Sequence, residues 1–228
     1  MIFIICRFTL FSFRKLSMKT SNLKYTHLCW LLAIPFLMSC NALLNKQPVQ
    51  TNYYALTLMQ SNLVPNANNN QKTMLPTLTV NTPKAVAGFD SNQMLYTRNT
   101  HQVEHFSRNE WVDTPANMLQ SLLILSLENT GDFKAVLPKS SAIKSEIKLE
   151  TQVVTLLQNF DTKPSKVDFG LRVSLINSET NQVIASQLFM EQVMAKSDTP
   201  AGGVGAANEA VNIALKKIGL FIKQALKN

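Results

Sequence analysis

Cysteine is scarce in this 228-residue chain, with only Cys6, Cys29 and Cys40. The first two precede a cleavage signal described below, so Cys40 stands alone downstream. A single thiol provides neither an internal disulfide nor a thiolate metal site. The apolar run from Leu28 to Met38 is eleven residues long, well short of the roughly twenty that span a bilayer. Of the 22 basic residues, five precede Cys40 with no acid among them, so the remainder carries a net charge of +3. That balance, without clustered Lys and Arg, argues against nucleic acid as a partner. It suits a domain lying near anionic lipid heads.

Motifs for catalysis are also thin. Gly202-Gly203-Val204-Gly205 precedes a helical pattern but has neither the Lys-Ser/Thr of a P-loop nor the Gly-x-Gly-x-x-Gly spacing, and a flexible loop is expected there. His27 lies before Cys40, and no Ser-His-Asp set can be assembled. Glu110 and Asp113 flank Trp111 without pairing as general acid and base. His101-Gln102-Val103-Glu104-His105 matches His-x-x-Glu-His, an inverted zinc-protease pattern. That chemistry needs a helix to bring both imidazoles to one metal, with Glu104 as base. The surrounding residues suit a strand, on which positions 101 and 105 stand about 13 Å apart. The expectation is no enzyme, no cofactor and no metal; a periplasmic zinc hydrolase using His101, Glu104 and His105 is the remote alternative.

What is present is an amino-terminal address. Lys19 and Lys24 lead into the Leu28–Met38 run, which ends in Leu37-Met38-Ser39-Cys40. A basic start, a short apolar core and a small residue before the cut describe a secretory signal peptide. A cysteine directly after the cut makes it a bacterial lipoprotein signal. The product is expected to begin at Cys40, with acyl chains on its thiol and new amino group. Each buried methylene of such chains contributes about 0.8 kcal/mol, so several chains hold the protein firmly. Asn41 is not the aspartate of an inner-membrane retention signal, which favours the outer membrane. Residues 1–17 precede Met18, which begins a complete signal by itself; Met18 is the expected true start, with a long basic region from residue 1 as the alternative. The divisions expected are a signal peptide over 1–39, a lipidated tether over 40–52 and one domain over 53–228. The 189 residues from Cys40 onward suffice for a single core.

Periodicity outlines that domain. Tyr53 to Leu58 and Leu75 to Asn81 read as strands, separated by a polar stretch, Asn62 to Lys72, with little to bury. Met94–Thr97 and Gln102–Phe106 form an expected hairpin. Thr114 offers an N-cap and Pro115 sits at the favoured first position of a helix carrying Met118, Leu119, Leu122, Leu123 and Leu127. Gly131 stops it. Phe133–Leu137 is a short strand. Ile143, Ile147, Leu149, Val153 and Leu157 share one parity of a long strand. Val167 to Leu175 and Val183 to Val193 continue an antiparallel meander. After a Pro/Gly loop over Ser197–Gly205, an amphipathic helix buries Ala207, Val211, Ala214, Leu215, Ile218, Ile222 and Ala225. Lys216, Lys217, Lys223 and Lys227 lie outside that stripe, on a solvated face. These elements argue an α/β domain with a mixed sheet of about five to six strands flanked by helices.

Four features together carry a resemblance over about Tyr53 to Ala225. They are Tyr53-Tyr54-Ala55-Leu56 soon after the cysteine, Met94-Leu95-Tyr96, Asn109-Glu110-Trp111-Val112-Asp113-Thr114-Pro115 with Met118-Leu119, and Gly131-Asp132-Phe133. In order and spacing these resemble the ABC-type transport auxiliary lipoproteins, the group containing the paraquat-inducible lipoprotein. Glu110 stands where that family usually has a basic residue before the tryptophan. The resemblance implies a fold similar to the anticodon-binding domain. It also implies service to an ABC system of ATPase, permease and MCE-type periplasmic protein that moves lipids or other hydrophobic compounds. Tyr53, Tyr54 and Trp111 are then candidate partner-binding residues and Cys40 the lipid attachment point. For Trp111 the alternative is a core aromatic packed on the helix from Pro115. Self-association into a homo-oligomer is left open. A competing expectation is an outer-membrane assembly or lipopolysaccharide-handling lipoprotein.

Overall fold

The computed structural model describes residues 50–59, 74–99 and 101–227. The signal peptide over 1–39, the acylated Cys40, most of the tether and the polar stretch 62–72 lie outside the described residues. From Gln50 onward the chain is one unit with its own core.

The centre is a long strand, β7 (Ile147–Asn159). One of its edges pairs antiparallel along its whole length with β8 (Lys166–Asn177), which pairs in turn with β9 (Val183–Met194). The other edge is shared by three short parallel strands in succession. β2 (Leu78–Val80) sets Thr79 beside Lys148, β3 (Lys84–Ala85) sets Lys84 beside Gln152, and β4 (Gln93–Asn99) sets Tyr96 beside Gln158. Beyond them, β6 (Val136–Pro138) runs parallel to β2, and β5 (Gln102–Trp111) closes a hairpin on β4. β1 (Asn52–Tyr54) lies parallel to the end of β5. Among the described residues the mixed sheet therefore has nine strands. The excess over the expected number comes from sharing one edge of β7 among pieces of two, three and seven residues.

Two helices, α1 (Pro115–Glu128) and α2 (Pro200–Ala225), pack on one face of this sheet. Val167, Phe169, Leu171, Val173 and Leu175 of β8 point to them without exception, each buried. They meet Leu119, Leu122, Leu123 and Leu127 of α1 and Val211, Ala214, Ile218 and Ile222 of α2 in one continuous core. A fully buried leucine such as Leu123 contributes about 1.5–3 kcal/mol. Thr114 caps α1 by accepting from the Asn117 amide at 3.3 Å, with Pro115 next, as the sequence indicates. The helix ends at Glu128, and Gly131 takes the left-handed conformation two residues past its Asn129 cap.

Several expectations need correction. The strand expected over 53–58 is confined to Asn52–Tyr54, for a reason given below. The long strand starts at Ile147 rather than Ile143, which is exposed. A β-bulge between Val153 and Thr155 then reverses its parity, so Leu156 is buried and Leu157 turns to the other face. An inserted residue does this to any period-two pattern. The expected Pro/Gly loop is the first turns of α2. Thr199 accepts from the Gly202 amide at 3.1 Å and Pro200 occupies the first position. Gly203 is required by close approach: a Cβ there would stand 2.2 Å from Oε1 of Gln158 on β7.

Candidate functional site

The first described stretch of the folded unit, residues 52–59, is held by β5 and α2. At the sheet edge, β1 aligns Tyr53 with Glu110 and Tyr54 with Trp111. The Trp111 amide donates to the Asn92 carbonyl at 2.8 Å, and the Val112 amide donates to the Tyr54 carbonyl at 2.8 Å. Trp111 is 4% exposed and belongs to the core, beside Met94 and Ala207. Tyr54 is half-buried against the same core. Tyr53 is 63% exposed, so of the three candidate residues it has the most surface to offer a partner.

Past Tyr54 the chain leaves the sheet and crosses α2, where two asparagines one turn apart hold it. Asn208 accepts from the Thr57 amide through Oδ1 at 2.6 Å and donates through Nδ2 to the Ala55 carbonyl at 3.3 Å. Asn212 accepts from the Met59 amide at 3.0 Å and donates to the Thr57 carbonyl at 2.9 Å. An Asn side chain offers one amide donor edge and one carbonyl acceptor edge, so each substitutes for a neighbouring strand. This is why residues 55–59 continue as extended chain without strand pairing. Leu56, between the two clamps, is buried in the core. The asparagines were missed in the sequence. Their signal was two polar residues four apart beside the apolar stripe of Ala207, Val211 and Leu215; Asn212 is 2% exposed.

The His-x-x-Glu-His segment lies at the start of β5. His101 is in the turn before the strand and Gln102–His105 are extended within it, so the helix that would bring both imidazoles to one metal is not formed. Glu104 is engaged elsewhere, its Oε2 accepting from the Tyr96 hydroxyl at 2.7 Å. That hydrogen bond, with burial second, raises the Tyr96 pKa. Tyr96 packs at a tilt on Phe106 and edge-to-face on Phe160, under the Arg98 guanidinium, an arrangement that fixes the hairpin.

The basic side of α2 is not simply solvated. Lys217 Nζ contacts both carboxylate oxygens of Glu191 on β9, at 2.7 and 2.8 Å. Lys223 pairs with Asp132 at 3.1 Å, tying α2 to the exit from α1. Both acids are buried, so these lysines complete the packing of the helix on its neighbours.

From Tyr54 to Gly219, the span from the clamp through most of α2, the sequence matches the family model for the ABC-type transport auxiliary lipoprotein component. The chain belongs to that family. As an ABC-type transport auxiliary lipoprotein it is a membrane-anchored periplasmic protein serving ABC-type transport. Its fold is similar to the crystal structure of a Xanthomonas campestris protein of the DUF330 family, with TM-score 0.67 and 20% identity, covering 77% of this chain and 96% of that one. A second crystal structure, of an uncharacterized protein, is similar at TM-score 0.59 and 16% identity, covering 76% and 99%. At these identities the likeness concerns the fold of the auxiliary lipoprotein. No curated protein matches the chain.

Proposed function

We propose that this chain is the non-catalytic lipoprotein subunit of an MCE-type ABC system that moves lipids or other hydrophobic compounds. In this reading it is anchored through acylated Cys40 at the outer membrane with the domain facing the periplasm, and it docks the MCE-domain component supplied by the ATPase and permease. The observation that carries the proposal is the family match from Tyr54 to Gly219, beginning where the membrane-side segment enters the domain. The Asn208 and Asn212 clamp supports it, since it fixes residues 55–59 on α2 just after the expected tether ends. Tyr53, exposed at the same edge, is the residue assigned to partner contact, and Tyr54 and Trp111 support its strand from beneath.

The test is affinity purification of the full chain from its native envelope in mild detergent. Enrichment of an MCE-domain protein with its permease and ATPase is expected. Recovery of a β-barrel assembly protein instead would favour the lipopolysaccharide-handling alternative and contradict the proposal. Light scattering on the same sample reads self-association.

A further inference from the structure

The face of β7, β8 and β9 turned away from the helices carries a second feature that the tether site does not use. Strand pairing sets Lys84, Gln152, Arg172 and Leu188 in a single row across β3, β7, β8 and β9. Paired residues share a face, and strands lie about 4.8 Å apart, so the Cα atoms of Lys84 and Arg172 stand about 10 Å apart. Lys139, just past β6, joins them around an open cleft of about 310 Å³. Among the described residues the one acid lining this cleft is Glu150, which accepts from Asn81 Nδ2 at 3.3 Å. Lys84, Lys139 and Arg172 form no ion pair among the described residues. Three cations against one carboxylate leave an excess of two positive charges within a Debye length of each other. That repulsion is relieved by an anion seated between them. An arginine fork with lysine point charges suits phosphate oxygens.

The surroundings narrow the anion's chemistry. Leu188 lies directly beside Arg172, and Met190 and Met194 follow on the same face of β9, all exposed. Met190 lies over Gly170 of β8, where any Cβ would stand 2.7 Å from its sulfur. A cationic cleft thus opens onto the uncovered Leu188 and Met190, and Gln192, donating to Asp168 at 2.7 Å, separates these two from Met194. We infer that this face holds an anionic phospholipid, its phosphate in the Lys84–Lys139–Arg172 cleft and the start of an acyl chain over Leu188 and Met190. Charge complementarity selects the headgroup, and the adjacent apolar pair selects an amphiphile over a free ion. The assignment rests on the charges and register of this sheet, independently of which transport system the chain serves, so the two readings fail separately.

The test uses the full chain purified in non-ionic detergent and titrated calorimetrically with dihexanoyl phosphatidylglycerol, dihexanoyl phosphatidylcholine and inorganic phosphate. The anionic lipid is expected to bind about tenfold or more tightly than either other probe, and to weaken as salt rises. Arg172→Glu combined with Lys84→Glu should lose that binding, and Arg172→Lys should retain part of it. These side chains are exposed, and melting temperatures confirm that each variant folds. Equal affinity for phosphatidylcholine, or unchanged binding in the charge-reversed variant, overturns the assignment. Inorganic phosphate binding as tightly as the anionic lipid overturns the lipid source and leaves a simple anion site.

Discussion

Replacing Asn212 by Ala removes the acceptor for the Met59 amide and the donor to the Thr57 carbonyl. A net hydrogen bond contributes about 0.5–1.5 kcal/mol, and a buried group left unpaired costs about 1–3. Thr57 and Met59 are exposed enough for water to reach part of their backbone, which places the total at about 1–3 kcal/mol. For a domain of this size that lowers the melting temperature by about 3–8 °C. The local signature is sharper than the global one. In amide exchange, Asn212→Ala should release Met59 while leaving Thr57 protected, because Thr57 is held by Asn208. Asn208→Ala should do the reverse. Asn212→Leu separates clamping from filling: it restores apolar volume on the α2 stripe but pairs neither backbone group. A Leu variant as stable as the parent, with Met59 still protected, would refute the clamp.

Gly203→Ala should cost about 1–3 kcal/mol, because Gln158 is pinned by hydrogen bonds to Ser165 and the Thr199 carbonyl and cannot yield to a new methyl; denaturant midpoints with and without Gln158→Ala check this, the second change restoring part of the loss. Lys217→Met leaves the buried Glu191 carboxylate without its partner and should cost about 1–3 kcal/mol, at the low end for a buried pair because Lys217 is half exposed. Combining it with Glu191→Gln should recover most of the loss. Glu146 has its pKa lowered, first by its own backbone amide and then by the Thr77 amide and Lys134. A depressed carboxylate contributes stability above its unfolded pKa and loses it as pH falls through the folded value. Glu146→Gln should therefore narrow the stability difference between about pH 6 and about pH 3, read from urea midpoints; an unchanged difference would contradict the assigned contacts.

Where one chain segment decided its own environment, the sequence was readable. The alternation from Val167 to Leu175 matches burial at every position but Gly170, and the Thr114-Pro115 start of α1 is set by capping chemistry local to those residues. Parallel sharing of one β7 edge by β2, β3 and β4 was invisible, because it depends on partners far apart in the chain. The bulge at Val153–Thr155 defeated a period-two reading by adding one residue. Gly202 and Gly203 suggested a loop on propensity, yet Gly203 serves helix-to-strand contact with Gln158 and Gly202 lets the helix start pass close to Ser197, demands that outweigh a helix cost of about 1 kcal/mol each. Around residues 52–59, the order of Tyr53, Tyr54 and Trp111 was legible and the asparagines were not. Nothing local marks an Asn on a helix as the partner of a strand end roughly 150 residues earlier.

Every functional statement about this domain depends on its being delivered outside the cytosol and held there by lipid. Intact-mass analysis of the protein isolated from its native membrane reads this directly. A chain beginning at residue 40, heavier by the mass of its fatty-acyl groups, is the predicted result. A free thiol at Cys40, or residues upstream of it still attached, would contradict the account.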